Sequence, residues 1–67
     1  MITYSIEYEV YDLQIKENSK WYVTLVDIDN AKYLSRCLRL LGVSKPIFIY
    51  ENSFENNREE RTLVCIH

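Results

Sequence analysis

The side chains able to do covalent or acid–base chemistry are few in this chain, and their spacing is wrong for most of it. A nucleophilic site needs Ser, Cys or Thr held beside a base. The only histidine is His67, at the end of the sequence read here, where one of its flanks has no neighbour to orient it. Cys37, Cys65 and His67 are the soft metal ligands, and no short-range pair of the C-x-x-C kind stands among them. Carboxylates occur in pairs at Glu7/Glu9, Asp27/Asp29 and Glu59/Glu60. The first pair alternates along a strand pattern and so shares one face, the usual place for solvated residues. The second lies at a strand-to-helix junction, where capping accounts for at least one member. The third is interleaved with Arg58 and Arg61 in a charge-balanced stretch. None of the three adjoins a Gly-rich phosphate cradle or a metal-ligand spacing. The sequence therefore predicts no catalytic residues, no metal and no cofactor, and a protein that is not an enzyme.

Charge is the more informative chemistry. Residues 1–30 carry two basic and six acidic side chains, and residues 46–67 carry two basic and four acidic. Between them, Lys32, Arg36, Arg39 and Lys45 are the only charges, and all are positive. At 100° per residue, Lys32, Ser35, Arg36 and Arg39 fall within one arc of a helix, opposite Leu34, Leu38 and Leu41 with Cys37, Tyr33 and Ala31 beside them. A positive stripe on a protein of net charge −2 predicts an anionic partner docking on Lys32, Arg36 and Arg39. An acidic protein surface is the expected partner. Nucleic acid is the alternative, with phosphates on the stripe and some of the six tyrosines stacking on bases, although the acidic balance opposes it.

The elements that must hold these residues follow from hydrophobic periodicity. Ile2 to Val10 alternates strictly between apolar and polar, a half-buried strand. At Val10–Tyr11 the phase flips, and Tyr11, Leu13 and Ile15 become the apolar set. Glu17-Asn18-Ser19 reads as a turn, and Trp21 to Ile28 as a second strand rich in aromatic and β-branched residues. Asp29 or Asn30 caps a helix from Ala31 to Leu41; Gly42 stops it in a left-handed conformation, with Val43 touching Leu38, and Pro46 prevents continuation. Ile47-Phe48-Ile49-Tyr50 is apolar on both faces and predicts an interior strand. Glu51 to Glu60 reads as a polar loop, and Arg61 to Ile66 as the last strand. The expectation is one α+β domain over residues 1–67: β-β-α-β-β, a four-stranded mainly antiparallel sheet with one helix packed on one face.

Two registers fit the first hairpin. A β-bulge at the phase flip returns all apolar residues to one face, but sets Tyr8 against Asp27 and Ile6 against Asp29. A five-residue loop, Lys16–Lys20, instead pairs Ile15 with Trp21, Leu13 with Val23 and Tyr11 with Leu25, matched in character at every step. The second register is preferred. It makes the hairpin change its buried face halfway along, so that Tyr11, Leu13, Ile15, Trp21, Val23 and Leu25 form an apolar patch away from the helix. One short helix cannot cover both faces, and a patch of that size exceeds what a monomer commonly exposes. A second copy of the chain is the simplest cover, so a homodimer is expected.

Size and composition set the remaining expectations. Sixty-seven residues are near the lower limit for an independent core. Two cysteines with no secretory leader before them predict reduced thiols, mostly buried, in a cytoplasmic protein. No apolar run approaches the roughly 20 residues of a membrane span, so no membrane partner is expected. Ile, Asn, Lys, Tyr and Phe number 7, 5, 4, 6 and 2 against single Gly, Ala and Pro residues, a bias toward AT-rich codons. The sequence thus suggests a small accessory or inhibitor protein of a virus or mobile element with an AT-rich host, binding another protein without catalysis.

Overall fold

The computed structural model describes all 67 residues, Met1–His67. The expected β-β-α-β-β order is the one the chain adopts: β1 (Ile2–Asp12), β2 (Glu17–Leu25), α1 (Ile28–Leu40), β3 (Phe48–Glu55) and β4 (Arg58–Ile66). Every strand pairing is antiparallel, and the sheet order is β2-β1-β3-β4. β3 is an interior strand, as its two apolar faces predict. The helix lies on one face, where Ile6, Ala31, Val43, Ile47 and Ile49 form the buried core and Tyr4, Tyr8, Leu25, Ile28, Leu34 and Leu38 pack around it. No helix is long and apolar enough to cross a membrane.

The first hairpin differs from both registers read from the sequence. Tyr8 pairs with Trp21, Ile6 with Val23, Tyr4 with Leu25 and Asp12 with Glu17. The loop is Leu13–Lys16, and Glu17-Asn18-Ser19 is strand rather than turn. Asp12 drives this: its carboxylate accepts the Gln14 N–H at 2.8 Å, its carbonyl accepts the Lys16 N–H at 2.8 Å, and Lys16 closes the loop at φ 56°. The phase flip is therefore the strand running out into a turn. Even-numbered residues of β1 face the helix from Tyr4 to Val10, so the hairpin does not change its buried face halfway along.

Residues 51–60 also differ from the loop that their composition suggests. They form the body of a second hairpin, turning at Asn56 and Asn57 with φ 50° and 62°. Two successive left-handed residues make the turn whose twist matches the flanking strands, and Asn adopts that conformation more readily than most side chains. The polar content of Glu51 to Glu60 reflects strands with wet faces. In β4 the pairing passes from Tyr50↔Leu63 to Ile49↔Cys65, which leaves Val64 as the extra residue of a bulge.

The helix begins earlier than expected. Asp27 is the N-cap, its carboxylate accepting the Asp29 N–H at 2.8 Å, so neither Asp29 nor Asn30 holds that position. Its end is as expected. Gly42 sits at φ 106°, its N–H reaches the Arg39 carbonyl at 3.2 Å, and the Val43 N–H reaches the Leu38 carbonyl at 3.1 Å, the paired bonds of a Schellman stop. The face α1 buries is turned from the one its leucines suggest. Ser35 is only 1% exposed and donates to the Ala31 carbonyl at 2.9 Å, while Leu40 and Leu41 are 88% and 83% exposed. Ala31 and Ser35, one turn apart, are small enough to bring the helix close to the sheet, and that approach outweighs the larger leucines.

Candidate functional site

The six residues expected to form one hairpin patch do not share a face. Val23 and Leu25 point to the helix side opposite Ile6 and Tyr4, and Leu25 packs on the core. Trp21 is on that side too, opposite Tyr8, but is 55% exposed. Tyr11 alternates to the other face, while Leu13 and Ile15 belong to the turn. A patch built on the register of a five-residue loop cannot survive a shift of odd length, which sends every side chain of one strand to the opposite side.

The basic stripe is also rearranged. Arg36 is exposed and Lys32 is half-buried at the edge of the helix. Arg39 is engaged elsewhere: its guanidinium donates to the Val43 carbonyl at 2.7 Å, to the Lys45 carbonyl at 3.0 Å and to the main-chain oxygen of His67. Those three acceptors lie in the loop after α1 and at the end of β4, so Arg39 ties the helix stop to the last strand. Ser35, placed with the stripe by its polarity, is buried. On the outer helix surface, Tyr33, Arg36 and Leu40 succeed one another at i, i+3 and i+7 and share one face. The sequence held this signal, since Tyr33 and Leu40 both lie beside Arg36, at one end of the arc assigned to the charges.

An apolar sheet face does exist opposite the helix, made by other residues. Across the sheet runs a row Tyr22–Glu7–Phe48–Ile66, and beside it a row Thr24–Ser5–Tyr50–Leu63. Phe48 and Tyr50 lie 6.4 Å apart between ring centroids, and the Arg61 guanidinium stacks on Tyr50 at 3.8 Å. Arg61 also forms an ion pair with Glu7, and Lys45 pairs with Glu9 at 3.7 Å. Asn52 completes the face by donating to the Ser5 hydroxyl at 2.7 Å. Where the first hairpin leaves the sheet, a cleft of ≈ 430 Å³ opens among Glu7, Glu9, Lys20, Tyr22, Lys45 and Phe48. The apolar run Ile47 to Tyr50 carried the clue to this face, because an interior strand that is apolar on both sides needs cover on both.

The remaining chemistry stays dispersed. Cys37 and Cys65 are free thiols, each partly exposed with most of its surface buried, as the sequence predicts. No group of three His, Cys, Asp or Glu side chains converges on a point that could hold a metal ion. Asp27 is spent on the helix cap and Glu7 and Glu9 on ion pairs, while His67 is held to Ile47 only through its main chain, by bonds in both directions at 2.8 Å, with no acid or nucleophile bonded to its ring. No protein-family model, curated protein or solved structure matches the chain.

Proposed function

We propose that this protein is a small binding module that works as a homodimer, catalyses no reaction, and docks on another protein through the outer face of its helix. The observation that carries the reading is the line Tyr33, Arg36 and Leu40, in which Tyr33 and Leu40 are 67% and 88% exposed on either side of a free guanidinium. Aromatic and arginine side chains presented on a rigid helix are the usual anchors of protein recognition, and an i, i+3, i+7 line fits a groove on the partner. Arg36, with Lys32 at its flank, selects an acidic rim around that groove. An accessory or inhibitor protein of a virus or mobile element agrees with the small size and AT-rich codon bias.

The test is affinity capture from a lysate of a low-GC bacterium with two baits, wild type and Tyr33→Ala combined with Leu40→Ser. A protein recovered in stoichiometric amount with wild type and lost with the variant supports the reading. Equal recovery with both baits sinks it, and nucleic acid released by salt would favour the phosphate-binding alternative.

A further inference from the structure

We propose that the sheet face turned away from the helix is where a second copy of this chain docks, face to face, with the two helices outside. The proposal rests on the homodimeric reading above and assigns its surface.

Area gives the first argument. The chain exposes 5353 Å² at a mass of 8.1 kDa, where a compact monomer of that mass exposes roughly 4500 Å². Its radius of gyration is 13.1 Å, against roughly 11 Å for a compact chain of this length. The excess surface, roughly 850 Å², is about what one partner contributes to a stable interface of standard size. A chain that needs one standard interface to become compact is completed by one further subunit, and symmetric pairing supplies it without another gene product.

The chemistry of the face gives the second. Its centre is Phe48, Tyr50, Leu63 and Ile66, with Tyr22 across Glu7. Covering a face is costly when it strands a charge, but Glu7 is already paired with Arg61, and Glu9 with Lys45, within the same chain. Two charges of the face form no ion pair: Lys20 at the end where the first hairpin departs, and Glu59 at the opposite end, on the opposite edge strand. They have opposite signs, so a two-fold axis across the face can bring each against its counterpart on the second copy. Such self-complementarity is what an isologous interface requires. A nucleic acid strand is a poorer occupant, because Glu7, Glu9 and Glu59 would meet its phosphates.

Tyr22 and Ile66 test this without endangering the fold, since they are 73% and 57% exposed in the single chain. Sedimentation equilibrium of wild type, Tyr22→Glu and Ile66→Lys should show a wild-type dimer and an association weakened about 30-fold or more in each variant. Far-UV circular dichroism should be unchanged, and Leu40→Lys, on the outer helix face, should dimerise as wild type does. A dimer that survives both sheet-face variants overturns the assigned surface while leaving the homodimer intact. A wild type that sediments as 8.1 kDa at all concentrations overturns both readings. Wild type that carries nucleic acid through purification, and loses it in Tyr22→Glu, overturns the second copy as occupant.

Discussion

Replacing Arg39 by Ala should lower stability far more than replacing Arg36, although both are exposed helix arginines. The difference lies in what each touches. The Arg39 guanidinium donates to three main-chain oxygens, of Val43, Lys45 and His67, and only the Val43 bond is partly shielded from water. A bond from a charged donor to a half-shielded carbonyl contributes about 1–1.5 kcal/mol, and the two exposed bonds about 0.3–0.5 kcal/mol each after solvent competition. The loss is therefore about 2 kcal/mol. For a domain of this size each kcal/mol shifts the melting temperature by about 4–8 °C, so Arg39→Ala should melt about 8–16 °C below wild type. Arg36→Ala makes no such bonds to lose and should stay within about 0.5 kcal/mol. The assay is thermal unfolding followed by circular dichroism. Arg39→Lys should recover only part of the loss, since one ammonium cannot span three diverging carbonyls as a planar fork does. Melting temperatures of Arg39→Ala and Arg36→Ala within about 2 °C of each other would refute the clamp.

Further outcomes follow from single residues. Gly42→Ala should cost about 1–2 kcal/mol in thermal unfolding: its added Cβ meets open space, but φ 106° is strained for any L side chain. Ser35→Lys should cost more than about 3 kcal/mol, because the position is 1% exposed and a buried unpaired ammonium has no compensation, whereas Lys32→Glu with Arg36→Glu should leave chemical denaturation midpoints nearly unchanged. Asn57→Gly should raise the melting temperature by about 2–4 °C, since φ 62° there costs glycine less than asparagine.

The element order was legible because each signal had one physical reading. Strict alternation from Ile2 to Val10 has no other explanation, and Gly42 followed by Pro46 leaves a helix nowhere to go. The hairpin register was not legible. Glu17-Asn18-Ser19 looks like a turn by composition, but it lies on an edge strand whose side chains are mostly wet, where polar residues are tolerated. The turn itself holds Leu13 and Ile15, which look like strand until the two hydrogen bonds accepted by Asp12 are seen. Helix rotation misled for a related reason. Hydrophobicity ranks Ser35 as outward, whereas close packing of α1 on the sheet ranks it by volume. Both errors fell on the site, since the register fixes which side chains share a face and the rotation fixes which cations are free. Phe48 and Tyr50 read as two-sided strand residues, but the polar content of residues 51–60 reads as loop and hides the β4 partners of their outer face.

The most direct test of the central claim, that two copies meet through the sheet, is an isotope-filtered nuclear Overhauser spectrum. It is recorded on an equimolar mixture of carbon-13-labelled and unlabelled chains. The account predicts cross-peaks between copies that link the ring protons of Tyr22 and Phe48 to the methyls of Leu63 and Ile66. Cross-peaks between copies confined to Tyr33, Leu40 and Leu41, or none at all at micromolar to millimolar concentration, would contradict it.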